Sequence, residues 1–152
     1  MDFQSAVRTC LRKYATFRGR AGRSEFWWFA LFGFGLHIAA RILDRILFHG
    51  QMSVMGAGGG PAMSVAYSRP VLDGLVSLLL FVPSLAVGAR RMHDIGRSGW
   101  WQAIVLAGVV AMVVPFLGML VLLGCVGLLI YWFAQPSEGP NAYGPGPEPA
   151  AG

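Results

Sequence analysis

Three long apolar runs alternate with short polar gaps along the chain. They cover residues 26–48, 71–89 and 100–134. Each is long enough for a membrane-crossing helix, which needs about 20 apolar residues. As one helix the third run would measure roughly 50 Å, against a hydrocarbon core of about 30 Å. The pattern therefore predicts two short helices there, joined by a turn at residues 115–118, and four spans in all. A single helix over that run would give three.

A shorter segment precedes these runs. Apolar residues recur at helical spacing between Phe3 and Tyr14, with basic residues off that stripe. This predicts an amphipathic helix that either lies in the membrane interface or packs against the rest of the protein. The chain then divides into a cytoplasmic helix and turn at 1–22, a transmembrane helical domain at 23–134, and a Pro/Gly-rich cytoplasmic tail at 135–152. We expect the tail to be exposed and irregular.

The composition supports a membrane protein. Hydrophobic residues make up 55% of the chain and charged residues 12%, whereas a soluble domain carries about 25% charged residues. The sequence therefore predicts an all-α integral membrane protein. Cys10 and Cys125 lie in contexts that suggest neither a disulfide nor a metal site, and no cofactor is expected. The apolar stretch begins too late, near Glu25, for a cleaved signal peptide.

The location of the basic residues predicts the topology. The loop between the first two runs holds Arg69 alone, while the other flanking segments are rich in basic residues. Basic loops stay in the cytoplasm, so we expect a multi-pass protein with a cytoplasmic N-terminus and, if the last run is a hairpin, a cytoplasmic C-terminus. The charge is explained by topology, and nucleic-acid binding is not expected. The cytoplasmic basic residues are Arg8, Arg12, Lys13, Arg18, Arg20, Arg23, Arg90, Arg91 and Arg97.

Two similar strings mark the points where the chain enters the membrane from that side. "GRSEFWW" begins at Gly22 and "GRSGWW" begins at Gly96. Ser24 and Ser98 are predicted to cap the helices that follow. The repetition reflects either an internal duplication or convergent anchoring. The tryptophans are expected at the headgroup level, where indole is favoured; they are Trp27, Trp28, Trp100 and Trp101.

The predicted topology gathers a polar cluster around these strings, and three interpretations remain open. The cluster can lock helix ends through ion pairs, with Arg23 and Arg97 reaching nearby carboxylates. It can bind an anionic lipid headgroup or an acidic partner. It can also do acid/base chemistry at His93 with Asp94, although adjacent helical residues do not face each other, so an enzyme is not expected. The cluster consists of Arg18, Arg20, Arg23, Glu25, Arg90, Arg91, His93, Asp94 and Arg97.

A second polar feature lies at the far end of the first run. His37, Arg41, Asp44 and Arg45 share one helix face. Because a charge at the bilayer centre costs roughly 2.5–3.5 kcal/mol, this stripe must reach the interface, pair internally or line a cavity. We expect Asp44 to pair with Arg41 or Arg45. The stripe also supports an alternative function, an oligomeric small-solute transporter or channel. Small residues at four-residue spacing allow close helix contact within one chain or between copies; these are Ala103, Ala107 and Ala111.

Three blocks together resemble the domain-of-unknown-function 805 (DUF805) family. They are "FRGRAGRSEFWWF" from Phe17, "RRMHDIGRSGWW" from Arg90 and "GPNAYGPGP" from Gly139. The resemblance covers nearly the whole chain and implies a small bacterial inner-membrane protein. It brings no established reaction and no catalytic residues. The working hypothesis is a structural, scaffold or sensor-like membrane protein whose partners are the lipid bilayer, including anionic headgroups, and a second copy or another membrane protein.

Overall fold

The architecture of the described residues is almost entirely helical. A computed structural model describes residues 1–47, 52–53, 64–65 and 70–146. Most of the predicted Gly-rich loop and the last residues of the tail lie outside this part. In chain order the helices are α1 (Phe3–Arg12), α2 (Arg23–Leu47), α3 (Val71–Asp94), a 3₁₀ helix (Gly99–Ala103), α4 (Ile104–Ala111) and α5 (Pro115–Ala134). Two short strands, β1 (Met52–Ser53) and β2 (Ser64–Val65), pair antiparallel with Met52 opposite Val65.

Three of the described helices are long and apolar enough to cross a membrane. They are Arg23–Leu47, Val71–Asp94 and Phe116–Ala134, and the second continues through Pro83, where a kink was predicted. The predicted helical membrane fold is thus confirmed. The remaining apolar segment, Gly99–Ala111, is roughly 22 Å long at the rises of 3₁₀ and α-helices. It falls short of a hydrocarbon core of about 30 Å.

The chain forms two compact units. One unit contains Met1–Leu31 and Phe81–Gly152, and the other contains Phe32–Leu80. Both α2 and α3 contribute residues to each unit. In the first unit, Met92, Ile95 and Trp132 form a buried apolar cluster against which other side chains of α5 pack.

Helices α4 and α5 form an antiparallel hairpin with very close contact. A Cβ atom added at Gly108 would lie 2.7 Å from the Cα atom of Leu122, closer than real Cβ atoms approach. Nearer the turn, the same atom at Gly118 would lie 2.4 Å from the Ala111 carbonyl oxygen. Since glycine occupies both contact points, the two backbones can touch, as in membrane helix pairs generally.

The break between α4 and α5 lies slightly before the predicted turn. α4 ends at Ala111 and α5 begins at Pro115, so residues 112–114 form the connection and 115–118 form the first turn of α5. Proline is tolerated there because the amide it lacks would have no intrahelical acceptor. The predicted interruption is confirmed, and its position is corrected.

The second Gly-Arg-Ser string has a distinct backbone role. Gly96 has φ +69°, and the amides of Gly96 and Arg97 bond back to the carbonyls of His93 and Met92 at 3.1 and 2.9 Å. This is the Schellman pattern that ends a helix on glycine. Ser98 then caps the 3₁₀ helix, as predicted, by accepting from the Trp100 amide at 3.4 Å.

The first string differs. α2 begins at Arg23, so Ser24 lies inside its first turn and the prediction that Ser24 caps the helix is wrong. The helix starts two residues earlier than a Ser24 cap would require, and the Phe26 amide bonds to the Gly22 carbonyl at 3.2 Å. The two strings therefore have different local structures.

The predicted N-terminal helix is present as α1. Asp2 caps it by accepting from the Ser5 amide at 3.3 Å. Ala6 and Cys10 are buried, whereas Phe3 and Leu11 are more than 40% exposed. Phe3 meets the Trp28 ring edge-on with centroids 5.8 Å apart, so one side of α1 rests on the start of α2.

Candidate functional site

The centre of the candidate site is Asp94, the last residue of α3. Its side chain is fully buried between two arginines: Arg20 Nη2 lies 2.9 Å from Oδ1, and Arg91 Nη1 lies 2.6 Å from Oδ2. The Ser137 hydroxyl also donates to Oδ2. Charge-assisted bonds of this kind are roughly twice as strong as neutral ones. Asp94 therefore joins the N-terminal segment, α3 and the C-terminal tail at one point.

Arg20 bonds to the tail through main-chain carbonyls. Its Nη1 donates to the carbonyls of Gly139 and Gly144 at 2.7 and 3.1 Å, and its Nη2 donates to that of Glu138 at 2.5 Å. Nη2 also donates to the Asp94 carbonyl at 3.0 Å. A buried guanidinium is costly unless its donors are satisfied, and carbonyls of the Gly/Pro-rich segment supply most of these acceptors.

Arg91 reaches the end of α5 in the same way. Its Nε donates to the Phe133 carbonyl at 3.0 Å, and its Nη2 donates to the Gln135 carbonyl. The last carbonyls of a helix have no intrahelical donors, so a fully buried arginine satisfies them here. Arg91 thereby ties the end of α5 to the end of α3.

The described part of the tail is mostly exposed and irregular, as predicted, but these bonds also hold it in place. Residues 135–146 contain no regular element beyond an isolated bridge between Asn141 and Gly144, yet they are held against the helix ends. The Asn141 side chain donates to the His93 carbonyl at 3.0 Å, and the Tyr143 ring stacks on the His93 ring with centroids 4.0 Å apart. These contacts were not predicted because the acceptors are backbone atoms, which composition does not reveal.

A second buried pair lies beside the first. Arg90 Nη1 is 2.5 Å from Glu25 Oε1, linking α3 to the first turn of α2. The thiol of Cys10 lies 3.7 Å from Glu25 Oε1 and 3.9 Å from Arg90 Nη2. Burial, followed by the Glu25 charge, raises the pKa of Cys10 to about 12, so the thiol is neutral at physiological pH. It fills space beside the ion pair and is a poor nucleophile.

Arg23 and Arg97 do not make the expected ion pairs. Glu25 pairs with Arg90, and Asp94 pairs with Arg20 and Arg91. Arg97 places its Cζ 4.5 Å over the Trp132 ring, and Arg23 is exposed. The expected partners are wrong because the carboxylates turn inward, where residues distant in sequence meet them.

His93 contacts both the N-terminal segment and the tail. Its Nδ1 lies 3.2 Å from the Gly19 carbonyl, which makes Nδ1 the donor, while Tyr143 covers one face of the ring. In the part of the chain that the structure describes, no three His, Cys, Asp or Glu side chains converge as a metal site would require.

The four predicted interfacial tryptophans are all exposed in the protein itself. The exposed fraction is 43% for Trp27, 38% for Trp28, 85% for Trp100 and 46% for Trp101. The indole of Trp28 donates to the Met1 carbonyl at 3.2 Å, and Trp101 meets Trp132 edge-on at 5.5 Å. Such amphipathic rings at helix starts fit a headgroup environment.

The polar stripe of α2 lies in the other unit and has partners that were not predicted. Asp44 accepts from the amides of Leu72 and Asp73, both at 2.9 Å, which are orphan donors of the first turn of α3. Asp73 in turn lies 2.6 Å from His37 Nδ1 and 3.2 Å from Arg41 Nε. The expected pairing of Asp44 with Arg41 or Arg45 is therefore wrong. The sequence did contain a signal for this contact: the charged stripe lies at the end of the first apolar run, and Asp73 lies at the start of the second.

Comparison with known proteins agrees with this architecture. The family model described as "Protein of unknown function (DUF805)" matches residues 14–145. The chain is 30% identical over 138 residues to inner membrane protein YhaH of Escherichia coli strain K12, covering 91% of this chain and 92% of the relative. It is also 30% identical over 138 residues to inner membrane protein YhaI of the same strain, covering 91% of both. No solved structure matches the chain significantly.

The family match includes every residue of the Asp94 and Glu25 ion-pair networks except Cys10. The relatives match over nearly their full length and are inner-membrane proteins, and three helices here are able to span a membrane. The chain is thus a helical membrane protein that belongs to the DUF805 family.

Proposed function

We propose that the chain is a structural scaffold of the inner membrane whose cytoplasmic face binds anionic phospholipid. The observation that carries this proposal is that the basic residues of the first unit fall into two groups, one buried in ion pairs and one exposed. Arg20, Arg90 and Arg91 are buried in ion pairs. The other basic residues of that unit are exposed and lie outside the buried pairs; they are Arg8, Arg12, Lys13, Arg18, Arg23 and Arg97.

The proposed orientation places the N-terminus, the connection between α3 and the 3₁₀ helix, and the tail in the cytoplasm. A buried ion pair joins the first turn of α2 to the last turns of α3. Arg91 bonds to the end of α5, which therefore lies at the same place. The antiparallel α4–α5 hairpin returns the chain to the side where it entered. We therefore propose four membrane segments, of which the short 3₁₀–α4 segment enters only part of the bilayer, with α1 lying in the interface.

Anionic lipid is the ligand that this surface favours. A basic residue near an anionic membrane contributes roughly 1 kcal/mol of attraction, which salt weakens. Because the internal carboxylates are already paired with buried arginines, the exposed basic side chains keep their charge available. An acidic protein surface would be recognised by the same chemistry, but the tryptophans around this face support lipid.

Native mass spectrometry with defined lipids tests the proposal. Purified protein in detergent is titrated with phosphatidylglycerol or phosphatidylcholine of identical acyl chains. We expect preferential retention of phosphatidylglycerol, and loss of that preference when Arg8, Arg12, Lys13, Arg18, Arg23 and Arg97 are replaced by Gln. The control is the double change Arg41→Gln and Arg45→Gln, in the other unit. Equal retention of both lipids by the wild type would overturn the proposal.

A channel or transporter is the competing function. Its main support in the sequence is the polar stripe of α2. Both carboxylates of that region are used between α2 and α3: Asp44 caps α3, and Asp73 meets His37 and Arg41. We therefore favour a structural role for the stripe. Protein-dependent solute flux in reconstituted liposomes, above that of empty vesicles, would favour the channel instead.

A further inference from the structure

We propose that a cleft beside α3 holds one acyl chain of an anionic phospholipid, with the phosphate at the His93–Ser98 end. This inference rests on the proposed function and specifies how one lipid is held. The cleft has a volume of about 880 Å³ and lies within the first unit. It is lined by α3 on one side and by the 3₁₀ helix and α4 on the other.

The wall from α3 is a single straight stripe. Phe81, Leu85, Ala89 and His93 line the cleft, and their four-residue spacing puts them on one helix face. They extend over roughly 18 Å at 1.5 Å per residue. The stripe begins with apolar side chains and ends with an imidazole near the end of the helix, so it changes from apolar to polar along the membrane normal, as a phospholipid does.

The opposite wall is apolar along its length. It includes Trp100, Ala103 and Leu106, with Leu129 contributed by α5. Gln102 also lines the cleft, but its side-chain amide donates to the carbonyls of Leu85 and Gly99 at 3.3 and 3.2 Å. Its donors are thus used in linking the two walls, and the deep part of the cleft suits a hydrocarbon chain.

The polar end presents donors and positive charge. The Ser98 oxygen accepts from the Trp100 amide at 3.4 Å, so its hydroxyl proton is available for a phosphate oxygen. His93 Nδ1 donates to the Gly19 carbonyl, so in that neutral tautomer Nε2 is an acceptor, and the donors for a phosphate at this end are those of Ser98 and the neighbouring arginine. Arg97 directly precedes Ser98 and is exposed, and its guanidinium stacks on Trp132 of α5.

Charge complementarity commits the occupant to an anionic phospholipid. Phe17 closes this end of the cleft, and the exposed Arg18 follows it in the chain. Two exposed cations, Arg18 and Arg97, are thus direct sequence neighbours of the lining residues Phe17 and Ser98, while most of the lining is apolar. A lipid tail gains little by leaving other tails for an apolar wall, because both environments are equally apolar. The phosphate therefore supplies the affinity, and the acyl chain in the cleft holds the phosphate at the polar end, so a filled cleft weakens binding by displacing the phosphate.

The experiment fills the cleft and asks whether phosphatidylglycerol is still held. Ala103→Leu places extra methyl groups in the cleft, whereas Ala107→Leu makes the same change four residues later, in α4 and outside the lining. Native mass spectrometry measures retention of phosphatidylglycerol by both variants and the wild type. We expect Ala103→Leu to weaken binding about tenfold or more, since overfilling a site is costly, and Ala107→Leu to bind like the wild type.

Each outcome is decisive. Equal phosphatidylglycerol retention by both variants, with the preference over phosphatidylcholine intact, would overturn the cleft while leaving the proposed function standing. No preference in the wild type would overturn the proposed function itself. Wild-type dimers that Ala103→Leu abolishes would assign the cleft to a second copy and also overturn the inference. If Ala103→Leu fails to fold, Leu106→Trp and its control Val110→Trp repeat the comparison at two exposed sites.

Discussion

At the scale of single residues, the cytoplasmic face depends on how buried charges are shared. Asp94 is fully buried, and its single negative charge is shared by the guanidinium groups of Arg20 and Arg91. The remaining N–H groups of Arg20 donate to main-chain carbonyls. Burying such groups costs several kcal/mol each, so the network is stable only while every partner is present. Removing a carboxylate should therefore cost more than the bond it makes.

Asp94→Asn should destabilise the protein strongly. The amide keeps the shape of the carboxyl group but leaves Arg20 and Arg91 without their anion, and breaking a buried pair costs about 3–5 kcal/mol. We expect a lower melting temperature in detergent, measured by intrinsic fluorescence. Glu138→Gln is the control, since that exposed residue serves Arg20 through its carbonyl. Equal melting temperatures for Asp94→Asn and the wild type would contradict the network.

Arginine geometry gives a second prediction. Arg20 uses three nitrogens to reach the carboxylate and several carbonyls, which the single ammonium of lysine cannot do. Arg20→Lys should therefore lower the melting temperature although it preserves charge. Arg97→Lys, at an exposed residue stacked on Trp132, should change it little. Thermal scans of both variants under the same conditions check this, and the reverse order of stability would refute it.

At the scale of elements, the tail behaves as part of the fold although it has little regular structure. Asn141 holds it twice: its side chain donates to the His93 carbonyl at 3.0 Å and accepts from the Tyr143 amide at 2.9 Å. Gly144 has φ +124°, a conformation that side chains disfavour. The segment is thus a shaped turn fastened at several points.

Asn141→Ala should loosen the tail without unfolding the helices. Both bonds of the side chain are lost, so we expect faster hydrogen–deuterium exchange in residues 135–146 and little change in α2, α3 and α5. Gln135→Ala is the matched control because Arg91 uses only the carbonyl of that residue. Unchanged exchange in the tail would show that the backbone bonds to Arg20 suffice alone.

The helices were predictable from sequence, and most of their contacts were not. The length of the apolar runs predicted α2, α3 and the interrupted third run, because membrane spans are set by bilayer thickness. The Arg91–Asp94 pair could have been predicted from sequence, since residues three apart share a helix face. Arg20 could not be assigned to Asp94, because the two are 74 residues apart and several exposed arginines were equally plausible partners.

At the scale of the whole molecule, the proposed topology rests on the hairpin. Trp101 at its start meets Trp132 at its end, while Gly118 meets Ala111 at its turn. A chain that enters the membrane at the 3₁₀ helix is therefore brought back to the same face. The shortness of that first arm does not alter the side on which α5 ends.

A reporter fused after Gly146, which preserves the docked tail, should be active in the cytoplasm. The matched fusion in the loop after α2, at Gly50, should be active only on the opposite side of the membrane. Paired phosphatase and fluorescent-protein reporters at both sites provide the measurement. Phosphatase activity after Gly146 would mean that α4 and α5 together cross the membrane once, which would give three spans.

The docked tail has a consequence for the order of events during synthesis. Arg20 is made 118 residues before Glu138, so its carbonyl acceptors do not yet exist while α2 and α3 enter the membrane. In the proposed topology, its free charge is available during that interval to hold the N-terminal segment on the cytoplasmic side. Once residues 135–146 emerge, the same guanidinium is desolvated and bonded. In that topology one arginine favours the orientation of the entering chain first and fastens the folded tail afterwards.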